Sequence, residues 1–542
     1  MKSVHPGQTE IRRRTAGDLN LAFALLVVVA IGGLVRFLPI SSSMYPLNDG
    51  GLFAHMASDL VKNGFLLPRF TTYNGETIPF AYPPLGLYLT GILSLFDGGD
   101  SVAVVRLLPA ALSTASILAF YLMAAELLRL RWRGVVAAAA FALMPHSYMW
   151  LIVGGGVTRS LGLLLSLLAL QQGIRMLRTH RAVPVLTTAM LGGLTLLSHP
   201  QAAAFLAVSL LTLLAFHVFR GRGVIAIAQL ALAGLGGLLV AGPWLLVVVA
   251  NHGLQPILSA GRTALDPASG ASQLLGLAFA DGSVLDLMTA MGVLGIVVRI
   301  ARGQWMIPVW LMLTVFIDPR AGTTYATVPL ALSVVPIVGE LLQRMVPAQG
   351  GSATLESEPM PSLVRTHRAA SIVIILLLFV TLRTASRTTV DPASPLHGLA
   401  VDHVAAMQWV RTDVGDDAAF VVVTGRAWES DYLSEWFPVF AERTSIATVQ
   451  GSEWTGIESF LQRLAMYREL QDCATGSATC LESWIDGWHI SRAYVFLPKG
   501  QLFGPSSPTD CCPALREMLG RSADYRVIYD GPGATIFAPS DR

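Results

Sequence analysis

Four charged residues fall in polar breaks of an otherwise apolar chain, where the ends of membrane helices are expected: Asp49, Arg159, Arg262 and Arg320. Asp49 belongs to Tyr45-Pro-Leu-Asn-Asp-Gly-Gly-Leu-Phe-Ala-His-Met-Ala-Ser-Asp59, directly after the first apolar run. A lone carboxylate on a glycine turn at that depth has the position a general base needs to act on a group carried by a membrane lipid. Moving a sugar off a polyprenyl phosphate requires little acid help, because the phosphate is already a good leaving group. It requires a cation to neutralise that phosphate and a carboxylate to take the acceptor's proton. Arg159 follows Gly154-Gly-Gly-Val-Thr158 and opens a span, where a helix N-terminus adds positive potential for a phosphate. Arg320, in Ile317-Asp-Pro-Arg-Ala-Gly-Thr-Thr-Tyr325, and Arg262 are further candidates for the same role. Blander readings compete: Asp is a preferred helix N-cap, and an arginine at a span end is a common interface anchor.

Around Asp49, the residues Asn48, His55, Asp59, Tyr82, His146 and His199 are candidates to support the carboxylate or contact an acceptor, with hydrogen-bonded packing the simpler reading for His146 and His199. A second polar tract lies near the C-terminus: Gly425-Arg-Ala-Trp-Glu-Ser-Asp-Tyr-Leu-Ser-Glu-Trp-Phe-Pro438, followed by Gln450-Gly-Ser-Glu-Trp454. Tryptophan faces beside carboxylates suit carbohydrate, so Trp428, Glu435, Trp436 and Trp454 are candidate glycan contacts; a tryptophan-rich core is the alternative. No metal-ligand spacing is evident, and one clear acid gives little reason to assert a divalent metal or any other cofactor.

The elements that must hold these residues are membrane helices. Hydrophobic residues make up 53% of the 542 and charged ones 13%, against about 25% in a soluble domain. A net charge of +2 gives no sign of a nucleic-acid partner. Eleven runs are apolar enough to span or nearly span a bilayer: 20–39, 101–126, 134–153, 157–177, 183–198, 201–219, 223–250, 282–299, 303–317, 325–343 and 369–388. Arginine clusters at 12–14, 129–133, 175–181, 220–222, 299–302 and 344–368 recur at every second loop. The positive-inside rule then places the N-terminus in the cytoplasm and the C-terminus outside. Residues 1–343 form a polytopic membrane unit, with a long first external loop at 40–100. A polar cytoplasmic linker follows at 344–368, then a last span at 369–388 and an extracytoplasmic α/β domain at 389–542. Within the first loop, 52–62 has the spacing of a helix lying on the membrane surface, and 80–96 is a short re-entrant or interfacial segment. All four cysteines (Cys473, Cys480, Cys511 and Cys512) lie in the C-terminal domain, which fits an oxidising compartment with three possible pairings.

Several of these motifs occur together in one family. The chain resembles the GT-C membrane glycosyltransferases, which include protein O-mannosyltransferases, aminoarabinose lipid-A transferases and oligosaccharyltransferases. The resemblance covers roughly residues 15–345. It rests on Asn48-Asp49 after the first span, Tyr82-Pro-Pro-Leu-Gly-Leu-Tyr88, Val105-Arg-Leu-Leu-Pro109 and Asp318-Pro-Arg320. It implies an enzyme of the plasma membrane in which Asp49 is the catalytic acid and Arg159 and Arg320 contact the donor phosphate. Gly50 stands where many members carry a second acid, so the mannosyltransferase-type Asp-Glu pair is absent. The Trp-Trp-Asp tripeptide of oligosaccharyltransferases is absent too. The expected function is inverting transfer of a sugar from a polyprenyl-phosphate donor to a glycan, lipid or protein acceptor on the external face. A non-catalytic scaffold or glycolipid-handling protein of the same fold is the alternative, and a transporter a weaker one.

Overall fold

The computed structural model describes residues 6–219, 223–262, 286–317, 319–345, scattered positions between 375 and 387, and 394–540 apart from 477, 491–492, 501 and 503–509; side chains at 6–17, 262, 317–321, 342–345 and 478 are left aside. The expected linker, all but its first two residues, and most of the expected last span fall outside the described residues.

The membrane part is built of α1 (Pro6–Ser41), α2 (Gly51–Lys62), a small hairpin of β1 (Phe70–Thr71) and β2 (Ile78–Pro79), and α3 (Leu85–Ser94). Then come α4 (Ser101–Leu128), α5 (Arg131–Leu143), α6 (Gly156–Thr179), α7 (Ala182–Ser198), α8 (Pro200–Val218), α9 (Val224–His252) and α10 (Gln255–Arg262). After the gap follow α11 (Leu287–Ala301), α12 (Met306–Ile317) and α13 (Pro319–Met345). Among the described residues, six helices are long and apolar enough to cross a membrane: 18–41, 101–128, 156–179, 200–218, 224–252 and 322–341. The helices at 182–198, 287–301 and 306–316 are apolar but shorter.

Local chemistry sets these bounds. Asp100 starts α4 by accepting from the N–H groups of Val102 and Ala103, and Asp286 does the same for α11. Pro200 occupies the first turn of α8, where its missing N–H is no loss. One expected span is corrected. The run 134–153 is helical only to Leu143; beyond Met144, Pro145 opens a single 3₁₀ turn to Ser147, and the chain folds back through 148–155.

Arg36, fully buried in α1, fixes that turn. It donates to Ser113 Oγ, to the Gly32 and Ala142 carbonyls and to Ser147 Oγ. Aromatic stacking fills the helical core, with Phe120 on Phe141 (4.5 Å) and Phe205 on Tyr325 (4.9 Å). Contacts sort the helix ends into two sets. Arg131 pairs with Asp18, Arg175 and Arg178 pair with Glu126, and His180 bonds Gln229 at one end of the bundle. The loops at 41–100, 144–155 and around His199 meet at the other.

The C-terminal part alternates helices and strands: α14 (Val401–Asp413), β3 (Ala419–Val422), α15 (Tyr432–Phe440), β4 (Thr444–Ser445), α16 (Ile457–Asp472), α17 (Ala478–Gly487), β5 (Tyr494–Pro498), α18 (Pro513–Arg521), β6 (Tyr525–Asp530) and β7 (Ala534–Pro539). The sheet runs β4-β3-β5-β7-β6, with β3 parallel to β4 and β5, and β7 antiparallel to β5 and β6. Disulfides join Cys473 to Cys480 and Cys511 to Cys512. The sheet core does not stop at the membrane part. Ala54 of α2, Val105 of α4 and Val157 of α6 belong to the same buried cluster as Phe420, Trp436 and Phe437. The C-terminal part therefore sits on the bundle end that carries the 41–100 loop.

Candidate active site

Asp49 lies on a turn that only its neighbours' types permit. Asn48 and Gly50 both take positive φ (48° and 114°), a region open to glycine and tolerated by asparagine. Any side chain on Gly50 would meet the backbone of Gly154 and Gly155. The turn is tied down on both sides: the Gly154 N–H donates to the Leu47 carbonyl (2.8 Å) and the Asn48 N–H to the His397 carbonyl (2.8 Å).

The competing N-cap reading of Asp49 is not what the side chain does. The cap of α2 is Gly50, with no bond from Asp49. Instead Asp49 reaches across to α6. Its Oδ1 accepts from the Gly155 N–H (2.9 Å) and its Oδ2 forms an ion pair with Arg159 Nη2. The three glycines before Arg159 make this possible, since a methyl group on Gly155 would overlap Arg159 Nη2 and lie 2.7 Å from Asp49 Oδ2. Both charged side chains stay partly open, 25% for Asp49 and 22% for Arg159. Arg159 also lies over the Trp150 ring (5.8 Å), and its Nε is buried with no hydrogen-bond partner among the described residues.

The donors that Asp49 leaves at the start of α2 are taken by a residue from the far end of the chain. Glu435, in the first turn of α15, accepts through Oε1 from the Gly50 N–H (2.8 Å) and the Leu52 N–H (3.3 Å). Its own carbonyl accepts from Tyr73 Oη (2.6 Å), and the adjacent Trp436 donates from Nε1 to the Asn48 carbonyl (2.7 Å). Burial first, then the charge of Asp49, pushes the Glu435 carboxyl up to about 8, against the pull of the two N–H bonds and Arg159. Glu435 and Trp436 are thus buried and face the Asp49 turn; neither offers a surface to a glycan, which corrects that expectation. Sequence reading flagged both residues but gave no sign that a second carboxylate stands beside Asp49.

The remaining candidates divide. Tyr82 joins Thr158 Oγ1 (3.0 Å), on the residue next to Arg159, and His199 Nδ1 (2.8 Å), and His199 Nε2 meets Gln201 Oε1 (3.0 Å). Trp454 packs edge-on against Tyr82 (5.4 Å), so it faces the membrane part. Asp59 is buried and accepts from Thr71 Oγ1, Thr72 N and Thr72 Oγ1, while His55 meets Thr72 Oγ1 (2.8 Å). These two hold the β1 turn and not Asp49, and burial keeps the His55 imidazole below its usual range. Trp428 packs on Phe460 (5.9 Å), within the C-terminal part. His146 sits in the 3₁₀ turn after α5. The side chains of Arg262 and Arg320 lie outside the described residues. Among the described residues, no three His, Cys, Asp or Glu side chains group as metal ligands would.

No family model and no curated protein matches the chain. Solved structures do. The oligosaccharyltransferase AglB from Archaeoglobus fulgidus, in complex with an inhibitory peptide and a dolichol-phosphate, superposes with a TM-score of 0.57 at 14% identity, over 88% of this chain and 69% of that one. ArnT from Cupriavidus metallidurans, bound to undecaprenyl phosphate, gives 0.51 at 14% identity over 95% and 97%. The chain has the GT-C fold. The mycobacterial arabinofuranosyltransferase AftD shares it too, with a TM-score of 0.55 at 14% identity; the match takes in 96% of this chain but only 40% of that longer one. The likeness to ArnT runs nearly end to end in both chains.

Proposed function

We propose that the protein transfers a sugar from a polyprenyl-phosphate donor to an acceptor at the bundle end covered by the C-terminal part, with inversion at the anomeric carbon and Asp49 as base. The observation that carries this reading is the Asp49–Arg159 pair. A carboxylate and a guanidinium, each about a quarter exposed, meet at the N-terminal turn of a membrane helix, at a bundle end, in a fold whose solved members include proteins bound to dolichol-phosphate and undecaprenyl phosphate. In the step, the acceptor's oxygen or nitrogen attacks the anomeric carbon from the face opposite the phosphate. The bond from that carbon to the phosphate oxygen breaks, the electron pair leaves on the phosphate, and the acceptor's proton passes to Asp49. Arg159 orients Asp49 and, with the start of α6, offers positive potential to the departing phosphate.

The same reading assigns topology: N-terminus cytoplasmic, eleven crossings, and the C-terminal domain outside the cell. It is supported by the contacts that gather the arginine-bearing loops at one end and the C-terminal part with the Asp49 loop at the other. A panel of radiolabelled polyprenyl-phosphate sugars, incubated with the purified protein in lipid nanodiscs, tests the chemistry. Consumption of one donor, with release or transfer of the sugar in the opposite anomeric form, is expected; a retained anomer would rule out single displacement. Thiol labelling of single cysteines in intact cells tests topology, with 344–368 protected and 401–413 reactive.

A further inference from the structure

We propose that Glu435 is a positioning residue for sugar transfer, through which the C-terminal part sets the Asp49 turn and imposes an alkaline limit on the reaction. The inference rests on the transferase reading above. Its geometry is a clamp. Residues 48, 50 and 52, on both sides of Asp49, are each bonded to residue 435 or 436: Asn48 O to Trp436 Nε1, and the Gly50 and Leu52 N–H groups to Glu435 Oε1. Tyr73, from the loop that packs on the other side, ties the Glu435 carbonyl. Glu435 is 5% exposed and Trp436 fully buried, so the clamp is closed to solvent. A methyl group on Gly51 would lie 2.8 Å from the Glu435 carbonyl oxygen, which shows how closely α15 is pressed to the turn.

Charge decides how the clamp responds to pH. The groups facing Glu435 are Asp49 on the turn, Arg159 from α6 and the Tyr73 hydroxyl from the 73–75 turn. Asp49 and Arg159 neutralise each other, so the buried group is neutral while Glu435 keeps its proton. Losing that proton leaves a net negative charge, and it stands against Asp49. Because the Glu435 carboxyl is raised from its ordinary value of 4.5 to about 8 in the folded protein, its contribution to docking is full below 4.5 and is lost as pH rises through 8. Above 8 the two carboxylates repel, the turn loosens, and Asp49 leaves its place beside Arg159.

Glu435→Gln tests this without removing the clamp's shape. The amide oxygen still accepts from both N–H groups but the side chain cannot ionise. Two readouts separate this claim from the transferase reading. Hydrogen exchange over 47–56, corrected for intrinsic rate, needs no substrate: wild type should lose about tenfold in protection between pH 7 and pH 9, and Glu435→Gln should not. The transfer rate of wild type should fall about tenfold per pH unit above 8, with the donor KM little changed, and that limb should be missing in Glu435→Gln. Parallel pH behaviour of wild type and Glu435→Gln in exchange would overturn the proposal. Exchange as expected with no transfer by wild type would leave the clamp standing and count against the transferase reading. Glu435→Ala should lose protection at both pH values; full protection there would also overturn it.

Discussion

Gly155→Ala places one methyl group at the centre of the site. Gly155 has φ −63°, so alanine suits its backbone and the effect is purely one of space. The added carbon would overlap Arg159 Nη2 and stand 2.7 Å from Asp49 Oδ2, where ordinary contact begins at about 3.4 Å. Either the ion pair opens or the 144–155 loop moves away from the Asp49 turn. Backbone movement is blocked on the other side, where a methyl group on Gly50 or Gly154 would itself collide with the facing backbone. Overpacking of this kind costs about 1–3 kcal/mol, and because both side chains are partly exposed the lower half of that range applies. Activity should suffer more than stability: a base displaced by about 1 Å loses on the order of 10²-fold in rate. Gly234→Ala in α9, where nothing lies within 4 Å, is the control and should leave stability level or raise it by up to about 1 kcal/mol. Thermal unfolding in nanodiscs and the transfer assay read the two effects. A Gly155→Ala protein with wild-type melting and wild-type turnover would refute the packing of Asp49 against α6.

Other outcomes follow from the same contacts. Tyr82→Phe strips the hydroxyl shared by Thr158 and His199 and should destabilise the protein by about 1–2 kcal/mol, read as a lowered Tm. Trp436→Phe keeps the ring buried but leaves the Asn48 carbonyl without its indole donor; a loss of about 1–3 kcal/mol is expected, with faster hydrogen exchange at 47–53. Peptide mapping without reduction should find Cys473 joined to Cys480 and Cys511 to Cys512; any crossed pair would contradict the fold of the C-terminal part.

Much of this was legible in the chain. Asn48-Asp49-Gly50 announced a tight turn by its residue types, and Arg159 was marked by its place at the start of a span, but the close approach of Asp49 to the glycines before it was not announced. The helices were visible as apolar runs, and the helix Gly51–Lys62 as spaced apolar residues. What sequence could not carry was partnership across distance. Asp49 and Arg159 are 110 residues apart, and Glu435 lies 385 from the Gly50 N–H it accepts from, so no local pattern joins them. Gly50 stands where the resemblance would put a second acid; in space a carboxyl from another part of the chain, that of Glu435, lies beside the turn. Trp436 and Glu435 looked like glycan contacts because burial depends on docking between two parts that a linear reading treats separately. Arg36 went unremarked inside an apolar run, yet its four hydrogen bonds anchor the turn that returns the chain to Asp49.

The central claim is that Asp49 takes the acceptor's proton, and Asp49→Asn tests it most directly. Asparagine keeps the size of the side chain and an oxygen for the Gly155 N–H, but it gives up the charge and the basicity. In nanodiscs with the polyprenyl-phosphate sugar that wild type consumes, Asp49→Asn should bind donor and melt within a few degrees of wild type while transfer falls below detection. Transfer at the wild-type rate by Asp49→Asn would contradict the account and leave the Asp49–Arg159 pair as a structural tie between α6 and the first loop.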